Sequence, residues 1–590
     1  MNILGLSFFY HDSAAALLQD GMLTAAAEEE RFSRIKHDNG FPKHAIQFCL
    51  KQAGIDADDL DYVVFYEKPF VKFERILMTA LGTFPRSWQT FSESLITWVG
   101  DKLWIKSLLM GEINVPPEKV LFTDHHMSHA ASAFFCSPFE EAAILTVDGV
   151  GEWTSATMGQ GRASWDDGAL NKIALTHEQR FPHSLGLLYS AFTAFLGFRV
   201  NEGEYKVMGM SPYGEPRYVD KIHKLFKVYE DGSFWLDMDY FSFHYSPEST
   251  FNRNFIKLFG QPRVHESEFF TPKTNPEVDA NSPKAKENQY YADIAASIQQ
   301  VTEDSMLKML NALYQRTGCK NLCMAGGVAL NSKANGRILA ETPFERMFIQ
   351  PAAGDSGGAL GAALYAYHVL LGQPRQFVQE HNYWGQAFSD EEIHGFLEAN
   401  QIPYLHLSDG GIIGQVVDDI MQGKVVGWFQ GRFEWGPRAL GNRSILADPR
   451  RAEMKDIVNT KIKFREPFRP FAPVILEGET PNYFEMDMEG STFPARFMLV
   501  VQPIHADKGD QIQAVNHLGT GRLQTVRREW NPRYYDVIDQ FGQASSVPVL
   551  LNTSFNLRGE PIVTTPQNAW NTFCNSEIDT LVLENYLIRK

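Results

Sequence analysis

Cysteine is scarce in this chain: five residues in 590, at Cys49, Cys136, Cys319, Cys323 and Cys574. A sparse, odd set does not staple a fold with disulfides and fits a reducing compartment. Cys319 and Cys323 stand four apart, yet Cys323 falls inside the strand-like run 321–325, so packing is expected of the pair rather than metal binding. Long apolar runs are missing too. No stretch approaches the roughly eighteen residues of a membrane helix. The first apolar run is broken by His11 and Asp12 and has no basic segment before it, which reads against an export signal. The expected location is cytoplasmic. Positive charge is also in deficit, with 54 Lys and Arg against 71 Asp and Glu, a net charge of −17. That balance opposes a partner made of nucleic-acid phosphates. No low-complexity or proline-rich tract occurs, so little disorder is expected.

What remains is an ordinary globular composition, 44% hydrophobic and 21% charged. The length exceeds one hydrophobic core, so two or three domains are expected. The chain opens as three strands, 3–7, 14–18 and 22–27, the last two joined by a hairpin turn at Gln19-Asp20-Gly21. A helix from Pro42 to Gly54 and a strand at 62–66 follow. The same order then returns: strands at 142–148, 153–159 and 173–177, a helix at 185–196, a long helix at about 291–316, strands at 322–325 and 347–350, and a small-residue helix at 357–371. Two similar halves suggest an α/β domain with a duplicated ribonuclease-H-like architecture. Residues 70–112, helical in spacing, and 215–285, aromatic and irregular, interrupt the scheme and are candidates to shape an acceptor pocket. The pattern lapses between Gly372 and Phe388, and Ser389 with Glu392 forms a capping box ahead of a new helix. The expected domains are therefore 1–375 and 385–590.

The sharpest motif is His125-His126-Met127-Ser128-His129. Asp124 precedes it as an N-cap candidate. On a helix, His125 and His129 lie one turn apart on one face, the spacing for two imidazoles on one metal. It is not a zincin arrangement, since His126 stands where that motif needs Glu. Asp148 ends a strand before Gly149, and Asp355 sits in a Gly-rich turn between strand and helix. Carboxylates at strand ends face the cleft of an α/β domain. Two His and two Asp form a mixed set suited to iron, manganese or zinc. Gly326-Gly327, before Asn331, follows a strand and opens a helix, where backbone can approach phosphate. No Walker A signature occurs. In Tyr10-His11-Asp12-Ser13, a neutral His11 could accept an alcohol proton.

The C-terminal half carries a basic island. Residues 432–469 hold ten Lys and Arg against five Asp and Glu. Glycines and prolines separate these arginines, as in fixed loops whose guanidinium forks take phosphate or carboxylate. Gly519-Thr520-Gly521-Arg522 and Asn552-Thr553-Ser554 offer further donors.

Taken together, His125/His129, Asp148-Gly149, Met208-Gly209-Met210-Ser211-Pro212-Tyr213-Gly214, Gly326–Asn331, Asp355, the Arg438 loop, Phe468-Arg469-Pro470-Phe471-Ala472-Pro473 and Asn552-Thr553-Ser554-Phe555-Asn556 resemble, nearly end to end, the O-carbamoyltransferases that act on tobramycin, nodulation factors, cephamycins and ansamycins. The resemblance implies an N-terminal domain of the actin/Hsp70/sugar-kinase superfamily, similar to the universal tRNA threonylcarbamoyltransferase, and a C-terminal α+β YrdC-like domain. It implies that the C-terminal domain makes carbamoyl-adenylate and pyrophosphate from carbamoyl phosphate and ATP, with Mg2+ as a further expected ion. Arg438, Lys463, Arg469, Arg522, Asn552 and Ser554 match the residues that hold those anions. It also implies transfer to a small-molecule hydroxyl at an N-terminal metal, usually Fe(II), held by His125, His129, Asp148 and Asp355. There Gly186, Gly326, Gly327 and Asn331 meet the carbamoyl-adenylate, and His11 is the general base. The family pattern has an Asp before the late Gly-Thr; this chain has His517-Leu518 there. No nucleic acid or membrane partner is expected, and a homodimer is left open. The competing readings are a sugar kinase of the same superfamily and a nucleotide-switched interaction protein. Neither gives the paired histidines and the basic island a joint role.

Overall fold

In the computed structural model, residues 1–100, 102–166 and 170–590 are described. The chain is a mixed α/β protein that divides into two units. The first gathers 1–24, 39–42 and 53–378. The second gathers 25–38, 43–52 and 379–590, so two early segments fall with the C-terminal one.

The first unit is built on two five-stranded sheets of the same topology. Strands β1 (Asn2–Ser7), β2 (Ala14–Gln19), β3 (Met22–Glu28), β4 (Tyr62–Phe65) and β5 (Val120–Phe122) lie in the order β3-β2-β1-β4-β5. β1 is antiparallel to β2 and parallel to β4, and β4 is parallel to β5. Strands β6 (Glu141–Val147), β7 (Thr154–Arg162) and β8 (Lys172–Arg180) repeat the meander. After the small hairpin β9 (Phe226–Val228) and β10 (Phe234–Leu236), strands β11 (Asn321–Ala325) and β12 (Arg346–Ile349) complete the order β12-β11-β6-β7-β8. The 19–21 turn is formed by Asp20 and Gly21, both at positive φ, the signature of a two-residue hairpin.

Small residues set the packing between these sheets. The helix Asp355–Tyr365 reads DSGGALGAALY, with Asp355 to Leu364 buried. A methyl group on Gly5 of β1 would overlap the carbonyl of Ala359, and one on Gly361 would overlap that of Ser128. The helix therefore lies hard against β1 on one side and against the helix His125–Phe134 on the other. That approach brings the first turn of one helix beside the first turn of the other.

The long helix Pro283–Thr317 begins eight residues before its expected start. Ser282 caps it by accepting from the N–H of Ala285, and Pro283 occupies its first position. Its first turns, Lys284-Ala285-Lys286-Glu287-Asn288-Gln289, are too polar to show an apolar period.

The second unit carries strands β13 (Leu405–His406), β14 (Val426–Phe429), β15 (Arg443–Ala447), β16 (Ala472–Leu476), β17 (Val501–Pro503), β18 (Thr520–Arg522), β19 (Gln524–Val526), β20 (Val549–Ser554), β21 (Thr580–Leu583) and β22 (Tyr586–Arg589). Eight form one sheet in the order β13-β22-β21-β14-β15-β20-β16-β19, and β17 pairs with β18. The helices Asp409–Met421 and Pro532–Ser545 pack on that sheet through Val416, Ile420, Val537 and Phe541 against Trp428, Leu446 and Leu550. Helix Asp390–Ala399 starts at the expected capping box of Ser389 and Glu392. Because β15 and β16 both run antiparallel to β20, while β19 runs parallel to β16, the entries to β15, β16 and β19 and the exit of β20 share one end of the sheet.

Candidate metal centre and anion site

β5 stops at Phe122 and the next helix starts at His125 with Asp124 at its N-cap. The Asp124 side chain does not cap; it binds Lys68 Nζ at 2.7 Å. His125 and His129 project from one face of the helix, their Nε2 atoms 3.1 Å apart. Asp148 Oδ2 lies 3.2 Å from His125 Nε2 and 3.7 Å from His129 Nε2. Asp355 Oδ1 is 3.7 Å from each. All four residues are buried. Donors on one ion with bonds of about 2.0–2.2 Å sit roughly 3.0–3.6 Å apart, so the four atoms fit a single divalent cation. Asp355 Oδ2 is buried with no hydrogen-bond partner, which is costly unless a cation joins the set.

The electrostatics point the same way. Burial alone would raise the Asp148 carboxyl, but His125 and His129 hold it well below the usual range. Burial raises Asp355, and the neighbouring Asp148 charge adds to that. His125 goes up to about 10, because Asp148 and Glu67 outweigh its burial. His126 is driven down to about 3 by burial and its two neighbours. Neutral His126 spans Thr146 Oγ1 at 2.7 Å and the Thr154 carbonyl at 2.9 Å, a structural role.

Glu67, at the end of β4, carries no motif and was not legible in the sequence. Its carboxylate lies 3.6 Å from His125 Nδ1 and takes Lys72 Nζ at 2.7 Å, with both side chains buried. Burial would raise it, yet Lys72 and His125 pull it down to about 2. It faces the His125 imidazole from the side away from Asp148, where it would orient that ring as a metal ligand. Glu152, also unforeseen, accepts from the N–H of His125 and of Lys68. Burial lifts it to about 7.

His11 Nδ1 meets Asp12 Oδ2 at 2.7 Å. Burial lowers its pKa, but Asp12, with smaller contributions from Asp355 and Asp148, raises it to about 9. The glycines expected to approach a nucleotide crowd Asp148. Gly326, at φ +94°, leaves no room for a methyl beside Val147, and a methyl on Gly186 would lie 2.7 Å from the Asp148 carbonyl. The Gly327 N–H donates to Asp148 Oδ1 at 3.0 Å. Asn331 caps the helix Ser332–Glu341 and exchanges amide bonds with Gln299.

In the second unit, the shared end of the sheet collects the other expected residues. Arg438 stands in the loop entering β15, Lys463 and Arg469 in the segment entering β16, Arg522 just before β19, and Asn552 and Ser554 on the last turns of β20. Buried Lys463 donates to the Ser554 carbonyl at 2.7 Å, Ser554 Oγ at 3.2 Å, the Asn556 carbonyl at 2.9 Å and Asn556 Oδ1 at 2.5 Å. Burial lowers its pKa well below the usual lysine value, and Arg465 and Arg469 add to the effect. Asn552 Nδ2 donates to Gln524 Oε1 at 2.6 Å, and Gln524 donates to the Leu440 carbonyl at 2.8 Å. Asn552 thereby braces the Arg438 loop.

Not every arginine of the basic island faces this end. Buried Arg443 lies 3.6 Å over the Phe429 ring and donates to the carbonyls of Gln430 and Asn442. Arg450 is paired with Asp448 at 2.8 Å. The loop itself is shaped by Glu434, another residue with no sequence signal. Its Oε1 accepts from the N–H groups of Leu440, Asn442 and Arg443 at 2.7, 2.8 and 3.2 Å. Gly436 is held by Glu28 and Arg31, each at 2.6 Å.

Two family models match the chain: Carbamoyltransferase N-terminus over residues 2–364 and Carbamoyltransferase C-terminus over residues 417–590. An uncharacterized protein of Synechocystis sp. is 45% identical over 626 residues, covering 100% of this chain and 97% of its own length. Nodulation protein NolNO of Sinorhizobium fredii is 38% identical over 596 residues, covering 99% of this chain and 79% of its own. Among solved structures, (R)-2-hydroxyglutaryl-CoA dehydratase component A of Acidaminococcus fermentans aligns with a TM-score of 0.31 and 15% identity, over 62% of this chain and 97% of that one.

Proposed function

Since the chain belongs to the carbamoyltransferase family, we propose that it is an ATP-dependent O-carbamoyltransferase working at two sites. The observation that carries this reading is the convergence of His125, His129, Asp148 and Asp355 in one unit, alongside a separate cluster of anion-binding side chains in the other. In this scheme the second unit, a YrdC-like domain, takes carbamoyl phosphate and ATP. Carbamoyl phosphate is hydrolysed to carbamate and phosphate. A carbamate oxygen then attacks the α-phosphorus of ATP, giving carbamoyl-adenylate and expelling pyrophosphate. Arg438, Arg469 and Arg522 spread the phosphate charge. Lys463, anchored on Ser554 and Asn556, fixes the rim of the pocket. Nucleotide-bound Mg2+ fits the same chemistry.

The first unit, of the actin/Hsp70/sugar-kinase type, then hands the carbamoyl group to a hydroxyl of a small molecule. His125, His129, Asp148 and Asp355 would hold a divalent ion, Fe(II) by family likeness, which supplies Lewis-acid polarisation and charge neutralisation. By family likeness Gly186, Gly326, Gly327 and Asn331 meet the adenylate; the first three also let the backbone close on Asp148 and fix its carboxylate. His11, steered by Asp12, receives the proton as the acceptor oxygen forms its bond to the carbamoyl carbon, and AMP departs. For the acceptor pocket we look to the inward-facing side chains of residues 70–112 and to 215–285, the exposed Phe70, Trp88 and Ile96 not among them.

The test is pyrophosphate release from ATP that depends on carbamoyl phosphate, with mass detection of carbamoyl-adenylate and no acceptor present. Both should appear in the wild type and in His125→Ala, and neither in Arg469→Ala. Conversion of ATP to ADP alone, or indifference to carbamoyl phosphate, would overturn the reading.

A further inference from the structure

We propose that the paired helices Pro69–Gly82 and Trp88–Gly100 form the contact surface for a second copy of this chain. In the first helix Phe70, Met78 and Leu81 are exposed on one stripe, Phe70 at 69%. In the second, Trp88, Leu95 and Val99 form another stripe, flanked by Ile96 at 76%. Phe84 joins the two, its ring 6.4 Å from that of Trp88. The helices pack on each other through Phe73 and Trp98, 6.0 Å between ring centres, so the apolar stripes are outward by construction.

Together with Trp104, these side chains expose on the order of 900 Å2 of apolar surface. Single chains rarely leave more than about 300–600 Å2 in one patch. A stable interface takes about 800 Å2 from each partner. The patch therefore has the area of one half of a self-complementary contact. Its charges do not favour a lipid surface. The exposed charged residues described between 69 and 113 are Glu74, Arg86, Glu93, Lys106 and Glu112, with no cationic excess to draw anionic headgroups.

The opposite face of the first helix, with Lys102 just beyond the second, lies toward the candidate metal centre. Lys72 reaches Glu67 at 2.7 Å and lies 4.0 Å over the Tyr10 ring, and Arg75 lies 5.0 Å over the Phe181 ring. Lys102 donates to the carbonyl of Phe9 at 2.8 Å, next to the His11 loop. Pairing across the outer face holds this inner layer in place.

Sedimentation velocity of the full chain at micromolar concentration tests the proposal. Wild type should sediment as a dimer, and Trp88→Glu/Ile96→Glu and Phe70→Glu should sediment as monomers with unchanged circular dichroism and unchanged carbamoyl-phosphate-dependent pyrophosphate release. Hydrogen exchange on the unmodified protein gives a second reading: amides of 88–100 should exchange faster on dilution. A wild-type monomer, dimers that survive the substitutions, exchange that ignores dilution, or a wild-type monomer that floats with phosphatidylcholine vesicles would each overturn it.

Discussion

Gly361 lies so close to the carbonyl of Ser128 that a single methyl group at position 361 would overlap it. The helices that carry His125, His129 and Asp355 meet at that point. Gly361→Ala must push the helix Asp355–Tyr365 outward and carry Asp355 away from His125 and His129. The expected cost is about 1–3 kcal/mol of stability, together with loss of bound metal. Thermal melting and metal analysis on the same preparation check both.

Removing single ligands should separate the two half-reactions. On the proposed two-site scheme, His129→Ala and Asp355→Asn are expected to lose metal and carbamoyl transfer, while acceptor-free pyrophosphate release stays within about twofold of wild type, because residues with no shared partners contribute independently. Parallel assays of pyrophosphate and of carbamoylated product give the answer.

The His11–Asp12 pair gives the transfer step a pH signature. A histidine raised from 6.5 to about 9 is protonated at neutral pH. Its contribution to stability is complete below pH 6.5 and fades as pH rises through about 9. As a base it works only when neutral, so the transfer rate should climb toward pH 9. Asp12→Asn removes the main raising partner and should move that limb to lower pH. Rate profiles of the transfer half-reaction in both proteins test the sign.

Glu434→Ala should strike the second site without touching a charge that meets substrate. Three backbone N–H groups would lose their acceptor, at about 1–3 kcal/mol each when buried. Loss of order in 436–442 is expected, with the KM for carbamoyl phosphate rising. Hydrogen exchange of that segment and steady-state kinetics report the two effects. Arg469→Ala, in contrast, should lower pyrophosphate release by at least about a hundredfold with little change in melting.

Much of the first unit can be read from the chain because its signals are local. The hairpin at Asp20-Gly21, the apolar run of β6 and the His125/His129 spacing each lie within a few residues. The four residues of the candidate metal cluster could be picked out for the same reason: each sits at or near a strand or helix end that announces itself. Strand order had no such signal, and the repeated order of the two sheets emerged only from the pairing registers. Glu152 and Glu434 stayed hidden because their partners are backbone N–H groups, and Glu67 because it meets His125, 58 positions on, which no spacing encodes. Charge counting alone does not separate the members of the basic island: Arg443, stacked on Phe429 and bonded to carbonyls, adds to the local charge as Arg438 does.

Glu28 and Arg31 belong to the second unit, and their partner Gly436 follows Arg31 by 405 positions. At synthesis rates of about 5–20 residues per second, that interval lasts roughly 20–80 s. For that time a buried ion pair of the finished protein emerges from the ribosome with nothing to bury it. Slower translation ahead of residue 436 is expected to lengthen that wait for Glu28 and Arg31. A message truncated after Val378 would never supply Gly436 to Glu28 and Arg31.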